Sequence, residues 1–330
     1  MTDAAAGRGS AGRSEQGLFE LPPELAVDTR VARRIMVDFV RGQLRQAGFE
    51  RAVLGLSGGI DSAVVAFLVA EAIGPERLLC VLMPYRTSSP ESLADARAVV
   101  DRLGCASRVV DISRIVDGYF GGQAGDDGDG AGQAGASAPA GAPLAGAGGR
   151  PDSPGDSPPS SLRRGNFMAR ARMAVLYDQS AAWGGLVVGT GNKTEVLIGY
   201  TTHFGDDACA FDPVGDLYKS QLRQVAVDLG VPEAVISKPP SADLWPGQTD
   251  EAEVGTSYAE LDRLLYWMVD RRRSPAELAD RGFDPGFVER VGRMVAGAEF
   301  KRQVPPIAKL GPRTSGVDYL YPRRRPAPGS

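Results

Sequence analysis

Apolar residues along the chain follow two patterns, short continuous runs and longer stretches with helical spacing. Val31, Ile35 and Phe39 have the spacing of one helix face, whereas the run that begins at Ala52 is typical of a buried strand. Strands are predicted at 52–56, 78–83, 108–112, 186–189 and 235–238. Helices are predicted at 27–47, 62–73, 89–103, 166–183, 217–229, 258–271, 275–279 and 285–300.

The order of these elements predicts the fold class. Strands that alternate with helices form a parallel sheet with right-handed crossovers, so the chain is expected to be a doubly wound α/β domain. Only helices are predicted near the end of the domain, which indicates a helical C-terminal extension. The domain is expected to span 27–320, between a disordered tail at 1–26 and a short tail at 321–330.

The segment 121–161 interrupts this alternation. It consists almost wholly of Gly, Ala, Pro, Ser, Asp and Gln, and Leu144 is its only large apolar residue. A segment of this composition cannot bury enough apolar surface to offset its ordering entropy. It is therefore predicted to be a flexible loop inserted into the domain.

Charge and cysteine content exclude several functions. The net charge is −4 and no long basic tract occurs, so nucleic acid is not expected as a partner. No apolar stretch reaches the ~18 residues of a membrane span, and 1–16 lacks the apolar core of a secretory signal. The spacing of Cys80, Cys105 and Cys209 fits neither a disulfide framework nor a zinc site, which favours a reducing cytoplasm. The single histidine, His203, argues against histidine-based triads.

The strongest chemical feature is the segment Gly-Leu-Ser-Gly-Gly-Ile-Asp-Ser at 55–62, between a predicted strand and a predicted helix. A helix N-terminus presents unpaired N–H groups and a partial positive charge, and glycines let the backbone approach an anion closely. Ser57 and Ser62 can add hydroxyl donors, and Asp61 can hold a Mg²⁺ ion that bridges phosphate oxygens. The segment is similar to the pyrophosphate loop of ligases that cleave ATP to AMP and pyrophosphate. The alternative is a plain strand–turn–helix corner.

Four further segments resemble one family among those ligases, the NAD synthetases. They are NFMARARM at 166–173, VGTGNKTE at 188–195 with GYTTHFGD at 199–206, DPVGDLYKSQ at 212–221, and KPPSADLWPGQTDE at 238–251. The resemblance covers about 27–320 and is interrupted only by the predicted insertion. It implies an adenine-nucleotide α-hydrolase-like sheet with ATP as co-substrate. It also implies that ammonia amidates deamido-NAD through an acyl adenylate.

The resemblance implies roles for individual residues. Asp61 and Glu195 are expected to bind Mg²⁺, because paired carboxylates suit a hard ion. The implied ATP contacts are Gly55, Leu56, Ser57, Gly58, Gly59, Ile60, Asp61, Ser62, Thr190, Lys219 and Ser241. Lys219 would neutralise charge on the leaving pyrophosphate, and Asp206 would accept a proton from ammonium. The implied contacts to deamido-NAD are Arg172, His203 and Lys301, with Arg170 as a further candidate.

Several of these positions leave an alternative open. Asp206 also fits the cap of a turn, and His203 also fits a turn histidine that faces water. In addition, His203, Ala210 and Phe300 stand where the family pattern has Lys, Asp and His. Those positions contact the nicotinate half in the family, so a ligase for another adenylated acid is one alternative. A protein that senses nucleotide without turnover is a second.

The resemblance also concerns partners and a moving loop. It implies a homodimer and a nitrogen supply from free ammonia or from a partner glutaminase. The segment 239–251 contains three prolines, one glycine and Trp245. It is predicted to be a lid that becomes ordered when ATP and the acid bind, because an acyl adenylate must be protected from water.

Overall fold

A computed structural model describes residues 22–121, 160–241, 243–245 and 248–314. Most of the predicted N-terminal tail and insertion, and the whole predicted C-terminal tail, lie outside these residues. The strands are β1 (Arg51–Gly55), β2 (Leu78–Leu82), β3 (Ala106–Val109) and β4 (Gly185–Val187). The α-helices are α1 (Thr29–Ala47), α2 (Ile60–Ile73), α3 (Pro90–Leu103), α4 (Ser113–Gly121), α5 (Ser161–Trp183), α6 (Lys193–Ile198), α7 (Lys219–Leu229), α8 (Glu233–Ser237), α9 (Asp250–Val254), α10 (Tyr258–Leu265), α11 (Pro275–Asp280) and α12 (Pro285–Gly297).

The strands form a parallel sheet in the order β3-β2-β1-β4. Val53 at the centre of β1 lies opposite Leu79 of β2 on one side and Val187 of β4 on the other. The chain runs outward from β1 to β3 and then returns to add β4 beside β1. The strand order therefore reverses between β1 and β4, and doubly wound sheets bind ligands at the carboxyl ends of the strands at such a point.

Helices cover both faces of the sheet. Alternate strand residues point to opposite faces, so Leu54 and Cys80 pack with α1, α2, α3 and α7. Val53 and Val81 face the other way and pack against Val175 of α5. Helices on both faces of a parallel sheet confirm the predicted doubly wound α/β class.

The described chain after α8 has helices as its only regular elements, as predicted for the C-terminal extension. Leu261, Leu265 and Val291 belong to an apolar cluster that also includes Ile198 of α6 and Tyr218 beside α7. The extension thus packs against the helices that follow β4. No helix among the described residues is both long and apolar enough to cross a bilayer.

Some local predictions were wrong. The strand predicted at 235–238 is the helix α8, which follows Pro232. A short apolar run does not distinguish a strand from a buried helix segment, and here the amides of Val235 and Ile236 donate to the carbonyl of Pro232. The helices α4, α6 and α9 were not predicted, and β3 ends at Val109 instead of continuing to residue 112.

Candidate active site

A cavity of about 490 Å³ lies at the carboxyl ends of the strands, next to the point where the strand order reverses. Loops after β1 and β4, the N-terminal turns of α2 and α7, and the segment 238–250 contribute to its wall. Apolar side chains cover one part of the wall, and these include Leu82, Leu93, Met173, Leu176, Val187 and Val235. Charged and hydroxyl groups cover the rest, so the cavity has a side suited to an aromatic base and a side suited to phosphates.

The loop between β1 and α2 is shaped for an anion. Gly58 has φ +83°, and a Cβ there would collide with the carbonyl group of Ser92 in α3. The hydroxyl of Ser62 donates to the carbonyl oxygen of Gly59 at 3.0 Å, which holds the turn closed. α2 begins at Ile60 without a side-chain cap, so its first N–H groups can serve a bound phosphate.

Three charged side chains from separate elements meet beside this loop, and we refer to Asp61, Glu195 and Lys219 as the ion centre. The Nζ atom of Lys219 lies 2.6 Å from Oδ2 of Asp61 and 3.2 Å from Oε1 of Glu195. All three residues line the cavity, although Lys219 is only 2% exposed. The sequence therefore predicted two carboxylates and a lysine that the fold brings into direct contact.

The side-chain amide of Asn192 links the carboxylate of Asp61 to the backbone of Glu195. Its Nδ2 donates to Oδ1 of Asp61 at 2.9 Å, and its Oδ1 accepts from the backbone N–H of Glu195 at 3.0 Å. Glu195 in turn accepts from the backbone N–H of Asn192, which completes a capping box at the start of α6. This residue was missed, although the spacing Asn-x-x-Glu is a known helix-start signal.

A third carboxylate lies close to the ion centre. Asp250 is buried, lines the cavity and accepts hydrogen bonds from the hydroxyls of Tyr200 at 3.1 Å and Tyr258 at 3.2 Å. Burial raises the pKa of Glu195 from 4.5 to about 8; Lys219 opposes this shift, whereas neighbouring carboxylates add to it. Three acids and one ammonium group therefore meet in a buried site, where Glu195 binds a proton more readily than an ordinary glutamate.

The ammonium group of Lys219 nevertheless stays charged. Burial by itself would lower its pKa, but the charges of Asp61 and Glu195 outweigh that effect and raise the pKa above its usual value. A permanently protonated lysine beside an anion-binding loop is suited to hold phosphate oxygens.

The opposite wall of the cavity carries Arg172 and Asp206. Nε of Arg172 donates to the carbonyl of Met83 at 3.2 Å, and burial lowers the pKa of this guanidinium. Asp206 is exposed towards the cavity and accepts from the backbone N–H of Thr202 at 2.7 Å. Desolvation by the surrounding protein raises the pKa of Asp206, with Asp207 as a further cause. Asp206 is thus a stronger base than an ordinary aspartate.

The remaining predicted ATP contacts, Thr190 and Ser241, both line the cavity. Of the loop at 55–62, only Gly58 does not line it, because Gly58 packs on α3. The sequence did not single out Lys238, which also lines the cavity. Its Nζ donates to Oδ2 of Asp95 at 2.8 Å.

The other predicted substrate contacts lie outside the lining of the cavity. Nδ1 of His203 pairs with Oδ2 of Asp207 at 2.8 Å. Nζ of Lys301 donates to the carbonyls of Gly199 and Thr201 at 2.8 and 2.6 Å. The Arg170 guanidinium donates to the carbonyl oxygen of His203 at 3.1 and 3.3 Å. These residues brace the turn that carries Asp206.

The described residues of the segment predicted as a lid line the cavity at 239–241, 243–245, 248 and 250. Its base is closed by the backbone N–H of Asp250, which donates to the carbonyl of Pro240 at 3.0 Å. Asp243 accepts from the backbone N–H of Ser89, directly before α3, at 3.1 Å. On the other side, Leu244 and Trp245 approach Gly165 of α5, where a Cβ would lie 3.0 and 3.4 Å from their side-chain atoms.

With this geometry in place, comparison with known proteins identifies the family. The NAD synthase family model matches residues 32–135 and 151–305. The chain belongs to the NAD synthase family. Its predicted family and its predicted class, an ATP-dependent carbon–nitrogen ligase, are thereby confirmed. The family match leaves out 136–150, which lie within the predicted insertion.

Similar NAD synthases and related structures cover nearly the same length. The NH(3)-dependent NAD(+) synthetase of Chlorobium phaeobacteroides strain BS1 is 47% identical over 289 residues, which are 88% of this chain and 92% of the relative. That of Trichlorobacter lovleyi is 46% identical over 91% of this chain and 97% of the relative. Among solved structures, the NH3-dependent NAD synthetase of Campylobacter jejuni has a TM-score of 0.65, 29% identity and coverage of 86% and 100%. NMN synthetase of Francisella tularensis has a TM-score of 0.68, 25% identity and coverage of 86% and 99%.

Proposed function

We propose that this chain forms NAD⁺ by amidating deamido-NAD with ammonia, at the expense of ATP. The observation that carries the proposal is the ion centre of Asp61, Glu195 and Lys219, which lies beside the anion-binding loop at the N-terminus of α2. The 47% identity to an ammonia-dependent NAD⁺ synthetase supports the choice of substrate. The first step transfers AMP to the carboxylate, because a free carboxylate is a poor electrophile.

In the proposed binding mode, the apolar wall holds the adenine ring and the loop at 55–62 holds the phosphates. Lys219 then faces the β- and γ-phosphates, where its charge stabilises the leaving pyrophosphate. Thr190 and Ser241 add hydroxyl contacts from opposite sides of the cavity. The chain mainly positions ATP and the acid for in-line attack at the α-phosphorus.

Mg²⁺ is the proposed cofactor, and Asp61 and Glu195 are its proposed ligands. The donor set fits a hard cation, since two carboxylates face the phosphate loop and three acids surround a single ammonium group. Within the described ranges, no three histidine, cysteine or acidic side chains form a metal-binding group. Water and phosphate oxygens would therefore complete the coordination, and the ion would neutralise charge on the phosphates.

The second step requires ammonia, whereas ammonium is the main form at neutral pH. Asp206 is the proposed acceptor of that proton, because it faces the cavity and its pKa is raised. Arg172 is the proposed contact to the dinucleotide and lies on the same wall. The nitrogen would enter as free ammonia or come from a glutaminase acting in trans.

The reaction itself is the direct test. We expect the protein with ATP, Mg²⁺, ammonium and deamido-NAD to produce NAD⁺ and AMP in equal amounts, as measured by chromatography. The corresponding mononucleotide acid should be offered in parallel, because the fold is similar to that of an NMN synthetase and because His203, Ala210 and Phe300 depart from the family pattern. Faster amidation of the mononucleotide acid would show that this acid, and not deamido-NAD, is the preferred substrate. If AMP were formed neither with deamido-NAD nor with the mononucleotide acid, both proposed reactions would be contradicted.

The proposed lid predicts an effect at Gly165. Gly165→Val adds three carbons where Leu244 already lies 3.0 Å from an ideal Cβ, so the segment 239–251 should not reach its seat on α5. We expect a rise in KM for deamido-NAD of roughly tenfold, because about 1.4 kcal/mol of closure energy is lost. Chymotrypsin should cleave near Leu244 and Trp245 in the variant even when ATP and deamido-NAD are present.

Gly118→Val is the matched control. Gly118 also lies inside a helix, α4, and nothing is within 4 Å of its ideal Cβ. Its KM and its protection by the two substrates should equal those of the parent protein. If chymotrypsin cleaved the parent protein at the same rate in the absence of substrates and in the presence of ATP and deamido-NAD together, the lid proposal would be contradicted.

We also propose a homodimer in the cytoplasm. α1 exposes a stripe of apolar residues at helical spacing, with Val31 at 40%, Ile35 at 61% and Phe39 at 38% exposure. Such a stripe on a surface helix supports burial against a second copy. The thiols of Cys80 and Cys105 are free although their sulfurs lie 3.7 Å apart, which is consistent with a reducing compartment.

The dimer proposal predicts that Ile35→Asp halves the mass measured by light scattering at micromolar concentration, because a buried unpaired charge opposes association. Val304→Asp is the control, since Val304 is 77% exposed and lies outside α1. The control should keep the mass of the dimer. A parent protein that is monomeric under these conditions would contradict the proposal.

A further inference from the structure

A buried carboxylate on the C-terminal extension lies behind the ion centre. Asp262 of α10 is fully buried at 0% exposure and does not line the cavity. Its Oδ1 accepts a hydrogen bond from Oγ1 of Thr194 at 2.5 Å. Its Oδ2 accepts from the backbone N–H of Ser220 at 2.8 Å and from Oγ of Ser220 at 2.7 Å. Both carboxylate oxygens are thus used to join α6 and α7.

The partners of Asp262 are the chain neighbours of the ion centre. Thr194 directly precedes Glu195, and Ser220 directly follows Lys219. In addition, the backbone N–H of Lys219 donates to Oγ1 of Thr194 at 3.0 Å. A chain of hydrogen bonds therefore runs from Asp262 through Thr194 to the backbone of Lys219.

These contacts fix where α7 begins. The first N–H groups of a helix have no partner inside the helix, and the hydroxyl of Thr194 and the carboxylate of Asp262 accept from the first two residues of α7. Lys219 has a long, flexible side chain, so the direction of its ammonium depends on where its backbone is held. The same carboxylate also holds Thr194 at the start of α6, next to Glu195.

Stability alone is a poor explanation for an acid at this position. Asp262 lies on a helix whose other inward residues, Leu261, Leu264 and Leu265, are apolar. Burying a carboxylate among them costs free energy that an apolar residue of similar size would not cost. The hydrogen bonds to two different helices indicate instead that the acid specifies their relative position.

We propose that Asp262 is a positioning residue, which holds α6 and α7 in register so that Glu195 and Lys219 meet at the phosphates. The inference rests on the proposed function, since it takes Lys219 as a contact to pyrophosphate. It assigns a role in turnover to a residue of the helical extension that does not line the cavity. Removing the acceptor should weaken interactions with the triphosphate and leave the nucleoside pocket unaffected.

Asp262→Asn tests the proposal with little change in shape. The amide keeps one acceptor oxygen, but its N–H₂ group cannot accept from Ser220 or from Thr194. We expect kcat for NAD⁺ formation to fall roughly 10- to 100-fold, as is typical when a group that orients a site residue is removed. The Kd for ATP should rise about tenfold, whereas the Kd for AMP, which has no pyrophosphate, should stay within twofold.

Leu278→Ala is the control for general destabilisation. Leu278 is 1% exposed, belongs to the same apolar cluster as the extension and does not touch α7 through a hydrogen bond. Its melting temperature should fall at least as far as that of Asp262→Asn. When it is assayed well below its melting temperature, its kcat and the ratio of its Kd for ATP to its Kd for AMP should match those of the parent protein. A control that loses kcat equally would overturn the proposal, as would an Asp262→Asn variant with an unchanged ATP-to-AMP ratio.

Thr194→Val distinguishes the proposed chain of contacts from independent effects. If Asp262 acts through Thr194, a double variant that carries both Asp262→Asn and Thr194→Val should lose little more kcat than Thr194→Val alone. If the two residues act independently, the two fold-losses in kcat should multiply. Lys219→Met separates this inference from the proposed function. If Lys219→Met loses ATP affinity and Asp262→Asn does not, only the positioning role fails. If Lys219→Met keeps both kcat and ATP affinity, the proposed contact between Lys219 and the phosphates is contradicted, and with it the basis of the positioning role.

Discussion

Asp61→Asn and Glu195→Gln should each lower kcat for NAD⁺ formation by on the order of 10³-fold, the scale seen when charge neutralisation at a transferring phosphoryl group is lost. Each change removes one carboxylate from the proposed Mg²⁺ site, while the side-chain oxygen of Asn at position 61 can still accept the hydrogen bond that Asn192 donates at 2.9 Å. Discontinuous chromatography of NAD⁺ and AMP at saturating ATP measures the loss. The KM for deamido-NAD should change little.

Both variants should remain folded, with melting temperatures equal to that of the parent protein or higher. Asp61, Glu195 and Asp250 face one ammonium group, so removal of one acid relieves repulsion and leaves Lys219 with a partner. Glu71→Gln is the control on α2, because Glu71 lies on the protein surface in an ion pair with Arg33. Near-normal kcat in either ion-centre variant at ordinary Mg²⁺ concentration would reject the metal assignment.

The parts of this site that are local in sequence could be predicted from the sequence. The loop at 55–62 carries its own glycines, hydroxyls and acid between a strand and a helix, so its role as an anion-binding turn follows from short-range pattern. The parallel sheet was predictable for a similar reason, because buried strands and amphipathic helices leave distinct periodicities. The helix α6 left no such trace, since only six residues form it.

The parts that depend on contacts between distant elements could not be predicted. Lys219 was expected to touch phosphate, but its contact with Asp61 joins residues 158 positions apart. Asp250 and Asp262 act through tyrosine and hydroxyl partners that no spacing reveals. One signal was available for Asp262, because an acid at position 262 interrupts the apolar face formed by Leu261, Leu264 and Leu265.

The contacts of His203 and Lys301 with the rest of the protein could not be predicted from the local sequence either. The resemblance implied that both residues touch deamido-NAD, yet in the structure Nδ1 of His203 and Nζ of Lys301 are used within the protein. Because Asp206 sits in the turn that they brace, an effect of either residue on the acid can be transmitted through that turn. We therefore expect recognition of the nicotinate half to depend on the geometry of this turn as well as on residue identity.

Lys219→Met should be damaging in two separate ways. We expect kcat to fall about 100-fold or more, because the charge that stabilises the leaving pyrophosphate is lost. We also expect the free energy of unfolding to fall by about 3–5 kcal/mol, because removal of one member of a buried ion pair leaves its partners uncompensated. Methionine keeps the length and the apolar stem of lysine, so lost packing contributes little. Urea unfolding followed by fluorescence, together with the NAD⁺ assay, measures both effects.

The charge arrangement makes the direction of the stability effect specific to Lys219. Its removal leaves Asp61, Glu195 and Asp250 without an ammonium group, whereas the ion-centre acids can be neutralised singly without this penalty. Lys193→Met is the matched control, since Lys193 also bridges two acids, Asp270 at 2.9 Å and Asp216 at 3.1 Å, but lies outside the lining of the cavity. Added Mg²⁺ should restore more of the stability of Lys219→Met than of Lys193→Met, because the first variant frees two largely buried carboxylates that face each other, whereas Asp216, which the second variant frees, is exposed to solvent. A Lys219→Met protein as stable as its parent in the absence of Mg²⁺ would show that the buried acids do not depend on the charge of Lys219.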